Sequence, residues 1–111
     1  SKMAQRGQIE GALIDGPLAF DNAISRKAAD QKGIVSEVAG DADILLMPNL
    51  EAGNMMAKQL IFLGHAEAAG LVLGARIPII LTSRADSLLT RLFSCALAVR
   101  VSYAHQRGVF V

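Results

Sequence analysis

Apolar positions along the chain follow two rhythms. Aliphatic runs occupy QIEGALID (residues 8–15), ADILLMP (42–48), AAGLVLGA (68–75) and RIPIILTS (76–83). Elsewhere apolar residues return every three or four positions. Ala52, Met56, Leu60 and Leu63 form one such series, and Leu88, Leu89, Leu92, Phe93, Ala96 and Leu97 another. The runs predict strands, several of them buried on both faces, and the spaced series predict helices with one buried stripe. The predicted order is strand, helix, strand, helix, strand, strand, helix, with helices over residues 17–33, 50–66 and 85–106. Pro17 suits a first helical position and Gly33 a helix end. Strands alternating with helices imply right-handed crossovers, hence an α/β fold with a mainly parallel sheet and helices on both faces.

In such sheets ligands gather beyond the carboxyl ends of the strands. Three junctions have that position: Asp15-Gly16-Pro17, Pro48-Asn49-Leu50-Glu51, and Thr82-Ser83-Arg84-Ala85-Asp86. Each places polar residues directly after an apolar run. The third offers two hydroxyls, a permanently charged planar fork and the start of a helix, which together suit an oxyanion or a phosphate. Simple capping by Ser83 or Asp86 accounts for the same residues. At the second junction Asn49 suits a cap and Glu51 the helix dipole. Gly53 and Asn54 are poor helix formers in the first turn, where a ligand approaching the backbone would favour them. Lys58, four residues past Asn54, shares its face. At the first junction Asp15 ends a run, followed by Asp21 and Asn22. Dipole stabilisation alone explains Asp21.

Composition narrows the picture. The chain has 111 residues, one modest domain by length, of which 52% are hydrophobic. A net charge of +1 gives no bulk attraction for nucleic acid or an anionic membrane. The apolar runs are broken by Gly, Arg or Pro well short of the ~18 residues of a membrane span. The amino terminus lacks the apolar segment of a signal peptide, and the lone Cys95 fits a reducing compartment, so a cytoplasmic location is expected. Cys95 reads as a small core hydrophobe. His65 and His105 have no neighbours at metal-ligand spacing, and neither common glycine-rich nucleotide cradle is present. No covalently bound cofactor and no metal site are expected.

The segments GPLAFDNAIS, SEVAGDADILLMPNLEAGNMMAKQL and IPIILTSRADS resemble, nearly word for word, the carboxyl-terminal part of phosphate acetyl/butyryl transferases. The wording is nearest to the phosphotransbutyrylase branch and to the transferase half of fused hydratase–transferase proteins. The likeness runs from Gly11 to about Val99. It implies an enzyme that converts acyl-CoA and phosphate to acyl phosphate and CoA, acetyl or butyryl. It also implies a two-domain fold similar to isocitrate and isopropylmalate dehydrogenases, assembled as a dimer or larger oligomer, with a hydratase domain as a further associate. Residues 1–111 would be the carboxyl-terminal portion of a longer enzyme, inactive alone. The resemblance gives Ser83 and Arg84 catalytic roles at the cleft, with Asp86 the nearest acid for a general base. It gives Asn54 and Lys58 contacts to phosphate or the thioester, and Asp15, Asn49 and Thr82 complete the candidate phosphate and CoA contacts. A metal- and nicotinamide-dependent dehydrogenase of the related fold is one alternative; its D-x-x-x-D metal pair is missing here. A non-catalytic fragment serving only oligomerisation is another.

Overall fold

A computed structural model describes residues 1–108. The chain divides into two compact units, Ser1–Pro48 and the residues from Asn49 onward.

The first unit holds α1 (Lys2–Gln5), α2 (Phe20–Ile24) and α3 (Arg26–Gln31). The helix predicted over 17–33 is therefore two short helices, packed on each other. The break is Ser25, whose backbone is extended and whose hydroxyl accepts the Ala28 N–H at 3.3 Å. Serine gives the backbone this alternative to a continuous helix, and here the alternative wins. Gly33, at φ 65°, closes α3 as expected. The buried residues are Asn22, Ala23, Ala29 and Ala39. Gly40 lies so close to the backbone of Arg26 that any side chain there would overlap it.

Residues 8–15 and 42–48 do not form the predicted strands. Leu13, Ile44 and Leu46 are 70%, 84% and 94% exposed. An apolar run specifies what a segment is suited to bury. It does not supply the neighbour whose N–H and C=O groups complete a ladder. Ala42, at the start of the second run, instead donates its N–H to the Ala23 carbonyl at 3.2 Å.

The second unit contains α4 (Leu50–Phe62), β1 (Leu71–Val72), β2 (Ile79–Ile80) and α5 (Leu88–Gln106). Both long helices lie where their periodicity placed them. The sheet does not match its prediction: β1 and β2 pair antiparallel, Leu71 with Ile80 and Val72 with Ile79. The link of residues 73–78 is too short for the crossover that parallel strands require, so adjacent runs close as a hairpin. No parallel pair occurs among the described residues.

Helix α5 packs on both strands, but the residues it buries are Ser94 and Ala98. The stripe predicted to be buried is exposed, with Leu88 at 74% and Leu92 at 55%. A two-stranded sheet covers only a narrow strip of helix, and small side chains let that strip approach closely. Cys95 is likewise exposed, because it follows Ser94 and turns off the covered strip. Ser94 is fully buried. Its hydroxyl donates to the Thr90 carbonyl at 2.7 Å and accepts the Gly70 N–H at 3.0 Å, tying α5 to the residue before β1. Ser94→Ala leaves that N–H without its partner and is expected to cost about 1–3 kcal/mol. A denaturant titration reads the loss. An unchanged midpoint would show that the bond contributes nothing to stability.

Candidate functional site

The candidate site is built where β2 gives way to α5. The helix is capped by Ser87, whose hydroxyl accepts the Thr90 N–H at 3.1 Å and lies 3.0 Å from the Thr90 hydroxyl. Capping therefore falls to neither Ser83 nor Asp86. Asp86 instead folds back on its own turn. Its Oδ2 accepts the Ser83 N–H at 2.6 Å, while its N–H donates to the Ser83 carbonyl at 3.1 Å. The Ser83 hydroxyl accepts the Ala85 N–H at 3.4 Å. This leaves Arg84 at the apex of a pinned turn, exposed. The Arg91 guanidinium, from the first turns of α5, donates to the Arg84 carbonyl at 3.4 Å.

Helix α4 brings a second cation to this turn. Lys58 Nζ stands 3.7 Å from Asp86 Oδ1, with the lysine side chain 39% and the aspartate 13% exposed. The ammonium also lies 5.7 Å from the centre of the Phe62 ring, one turn along the same helix. An ion pair this open to water is worth at most ~1 kcal/mol. Its consequence is orientation: Lys58 is directed at the turn, and at that separation its N–H donors are not consumed by Asp86.

The other candidates divide. Asn54 is exposed on α4, one turn before Lys58. Asn49 is the N-cap of α4, its Oδ1 accepting the Ala52 N–H at 2.8 Å. Thr82 is exposed on the segment leading from β2 into the turn. Asp15 belongs to the first unit and accepts the Gly16 N–H at 2.7 Å. The Ser36 hydroxyl, and then that N–H, hold its carboxyl below the ordinary aspartate value. Asp21 is paired with Lys32 at 2.7 Å, which lowers its pKa in the same direction. Asn22 is buried, and its Oδ1 finds no hydrogen-bond partner among the described residues.

The structure thus gathers Ser83, Arg84, Asp86 and Lys58. Sequence reasoning missed Ser87 and Arg91. The first was legible as a serine three residues before Thr90 at the head of an apolar helical series. The second carried no local signal, because its partner is a backbone carbonyl seven residues earlier.

Residues 1–99 match the family model of phosphate acetyl/butaryl transferase. The chain belongs to this family. It is 70% identical over 97 residues to a phosphate acetyltransferase of Rhizobium meliloti, covering 87% of this chain and 31% of that protein. It is 53% identical over 107 residues to a probable phosphate butyryltransferase of Bacillus subtilis, covering 95% of this chain and 36% of the relative. Among solved structures it superposes on a branched-chain phosphotransacylase from Enterococcus faecalis V583 with a TM-score of 0.68 and 40% identity. That match covers 77% of this chain and 32% of the other. The chain therefore spans about a third of the length of the relatives it matches. All the candidate residues of this phosphate acyltransferase family member, from Asp15 to Asp86, lie inside the matched span.

Proposed function

We propose that this chain is the carboxyl-terminal portion of a phosphate acyltransferase that interconverts acyl-CoA plus phosphate with acyl phosphate plus CoA. The observation that carries the reading is the pinned turn after β2. It carries the exposed Arg84 directly after Ser83 and brings Lys58 to 3.7 Å from Asp86 on the same turn.

In this mechanism Arg84 and Lys58 hold phosphate, the guanidinium through paired N–H groups and the ammonium as a point charge. Asn54, Thr82 and Asn49 are the further polar contacts offered by the second unit, and Asp15 is the candidate contact carried by the first. A phosphate oxygen attacks the thioester carbonyl carbon while Asp86 takes the phosphate proton. The new C–O bond produces a tetrahedral oxyanion, stabilised by the Ser83 hydroxyl or a backbone N–H. Its collapse breaks the C–S bond, and the proton held by Asp86 passes to the departing thiolate. Acyl phosphate and CoA result, with no covalent enzyme intermediate. Placing both reactants on one site supplies much of the rate enhancement.

The remaining part of the enzyme would complete the cleft and cover the apolar surface. Ile44, Leu46, Leu50, Leu73 and Leu88 are each at least 74% exposed, far more apolar surface than an isolated domain of this size ordinarily leaves in water. The complete protein would have the two-domain fold related to isocitrate and isopropylmalate dehydrogenases. It would act in the cytoplasm as a dimer or larger oligomer, with association to a hydratase as a further arrangement. No helix among the described residues is long and apolar enough to cross a membrane.

The test follows thiol release from acetyl-CoA or butyryl-CoA by the intact enzyme with and without phosphate, trapping acyl phosphate with hydroxylamine. Phosphate-dependent release with matching hydroxamate is expected from the intact enzyme and not from residues 1–111 alone. Release that ignores phosphate would defeat the proposal.

A further inference from the structure

The turn that carries Asp86 also closes one end of a cavity of about 320 Å³ within the second unit. Its walls are Ile61 and Phe62 from the end of α4 and Leu89 and Phe93 from the start of α5. Its polar lining is Asp86, Ser87 and Thr90 around the start of α5, with His65 and Glu67 from the segment after α4. The helices do not pack directly on each other, so the space between them is open. Gly64 approaches the Leu60 carbonyl too closely for a side chain, and His65 follows at φ 52°. This turns the chain away at the end of α4 and brings the following residues along the rim.

We infer that this cavity receives the acyl chain of the acyl-CoA, and that Leu89 and Phe93 set the chain length. The inference rests on the transferase reading. An acyl thioester has a polar carbonyl at one end and a hydrocarbon tail at the other. The cavity adjoins the place proposed for the carbonyl, because Asp86 belongs both to the turn proposed to hold phosphate and to the cavity lining, and its apolar walls suit the tail. A carbonyl placed at Asp86 and Ser83 directs its tail between α4 and α5, against Phe62, Leu89 and Phe93. The volume leaves room for an aliphatic chain longer than acetyl, such as butyryl. Each methylene accommodated in an apolar pocket contributes about tenfold or more to discrimination.

The experiment compares acetyl-CoA with butyryl-CoA in the intact enzyme, measuring kcat/KM and, by calorimetry, Kd for each. Leu89→Phe narrows the cavity and should lower the butyryl-to-acetyl ratio at least about tenfold. Leu89→Ala widens it and should raise activity toward hexanoyl-CoA relative to butyryl-CoA. Leu89 is 46% exposed, so neither change removes a packed core residue. If both ratios stay put while thermal stability shifts, the cavity is filled by another segment of the protein and the inference is overturned. It is equally overturned if the enzyme binds neither acyl-CoA. Should Leu89→Phe weaken binding of butyryl-CoA selectively in an enzyme that forms no acyl phosphate, the pocket stands and the transferase reading falls.

Discussion

Replacing Arg84 with alanine in the intact enzyme is expected to lower turnover by about 10²–10³-fold, the usual loss when one donor to a developing anion is removed. The fold should survive the change. The Arg84 side chain is exposed, and the turn beneath it is held by contacts that leave the guanidinium out: Asp86 to the Ser83 N–H, and Arg91 to the Arg84 carbonyl. Thermal stability should therefore stay within about 0.5 kcal/mol of the parent, as for most surface substitutions. The kinetic loss should fall on the phosphate side, raising KM for phosphate and lowering kcat, with binding of CoA less affected. Arg84→Lys keeps the charge and loses the paired fork, so it should recover only part of the rate. A loss smaller than tenfold in Arg84→Ala would remove this residue from the centre of the mechanism and leave Lys58 as the principal anion contact.

The sequence disclosed the two long helices and the polar turn between β2 and α5 more readily than the sheet, for a physical reason. Helix α4 closes its hydrogen bonds within one segment, so the spacing of Ala52, Met56 and Leu60 and the cap at Asn49 suffice to place it. A strand needs a second segment, and the runs at 8–15 and 42–48 show only that something should cover them. Their exposure in the structure is what an unpartnered run looks like. The pair that does form, Leu71 with Ile80, is between the two runs nearest in sequence. The same dependence on neighbours explains α5: periodicity located Leu88, Leu92 and Leu97, but the sheet it meets selected Ser94 and Ala98. The turn at Ser83–Asp86 was visible as polar chemistry at a strand end. Its capping was misassigned because Ser83, Asp86 and Ser87 are all competent caps, and only the observed helix start distinguishes Ser87. The approach of Lys58 to Asp86 followed from no local rule.

Gly70→Ala should be the most damaging small substitution in the second unit. The added methyl would overlap the Leu81 carbonyl oxygen, which belongs to the backbone and has no flexible side chain to move aside. The same two residues are already joined, since the Leu81 N–H donates to the Gly70 carbonyl at 3.0 Å, while the Gly70 N–H donates to Ser94. Relief by moving Leu81 therefore weakens the hairpin, and relief by moving Gly70 breaks its tie to α5. Overpacking of this kind costs about 1–3 kcal/mol, and each hydrogen bond forfeited adds about 1 kcal/mol. A total near 3 kcal/mol is expected from denaturant midpoints, at least as large as for Ser94→Ala, which removes one partner and introduces no clash. Activity should fall with it. Leu81 leads directly into Thr82, Ser83 and Arg84, so displacing its carbonyl tilts the turn that presents the guanidinium, and small misplacements at a reacting centre are expensive. A variant that keeps full activity and loses less than 1 kcal/mol would mean that β1 and the turn move independently. The proposed anion site would then be organised by Asp86 and Lys58 alone, with no support from the hairpin.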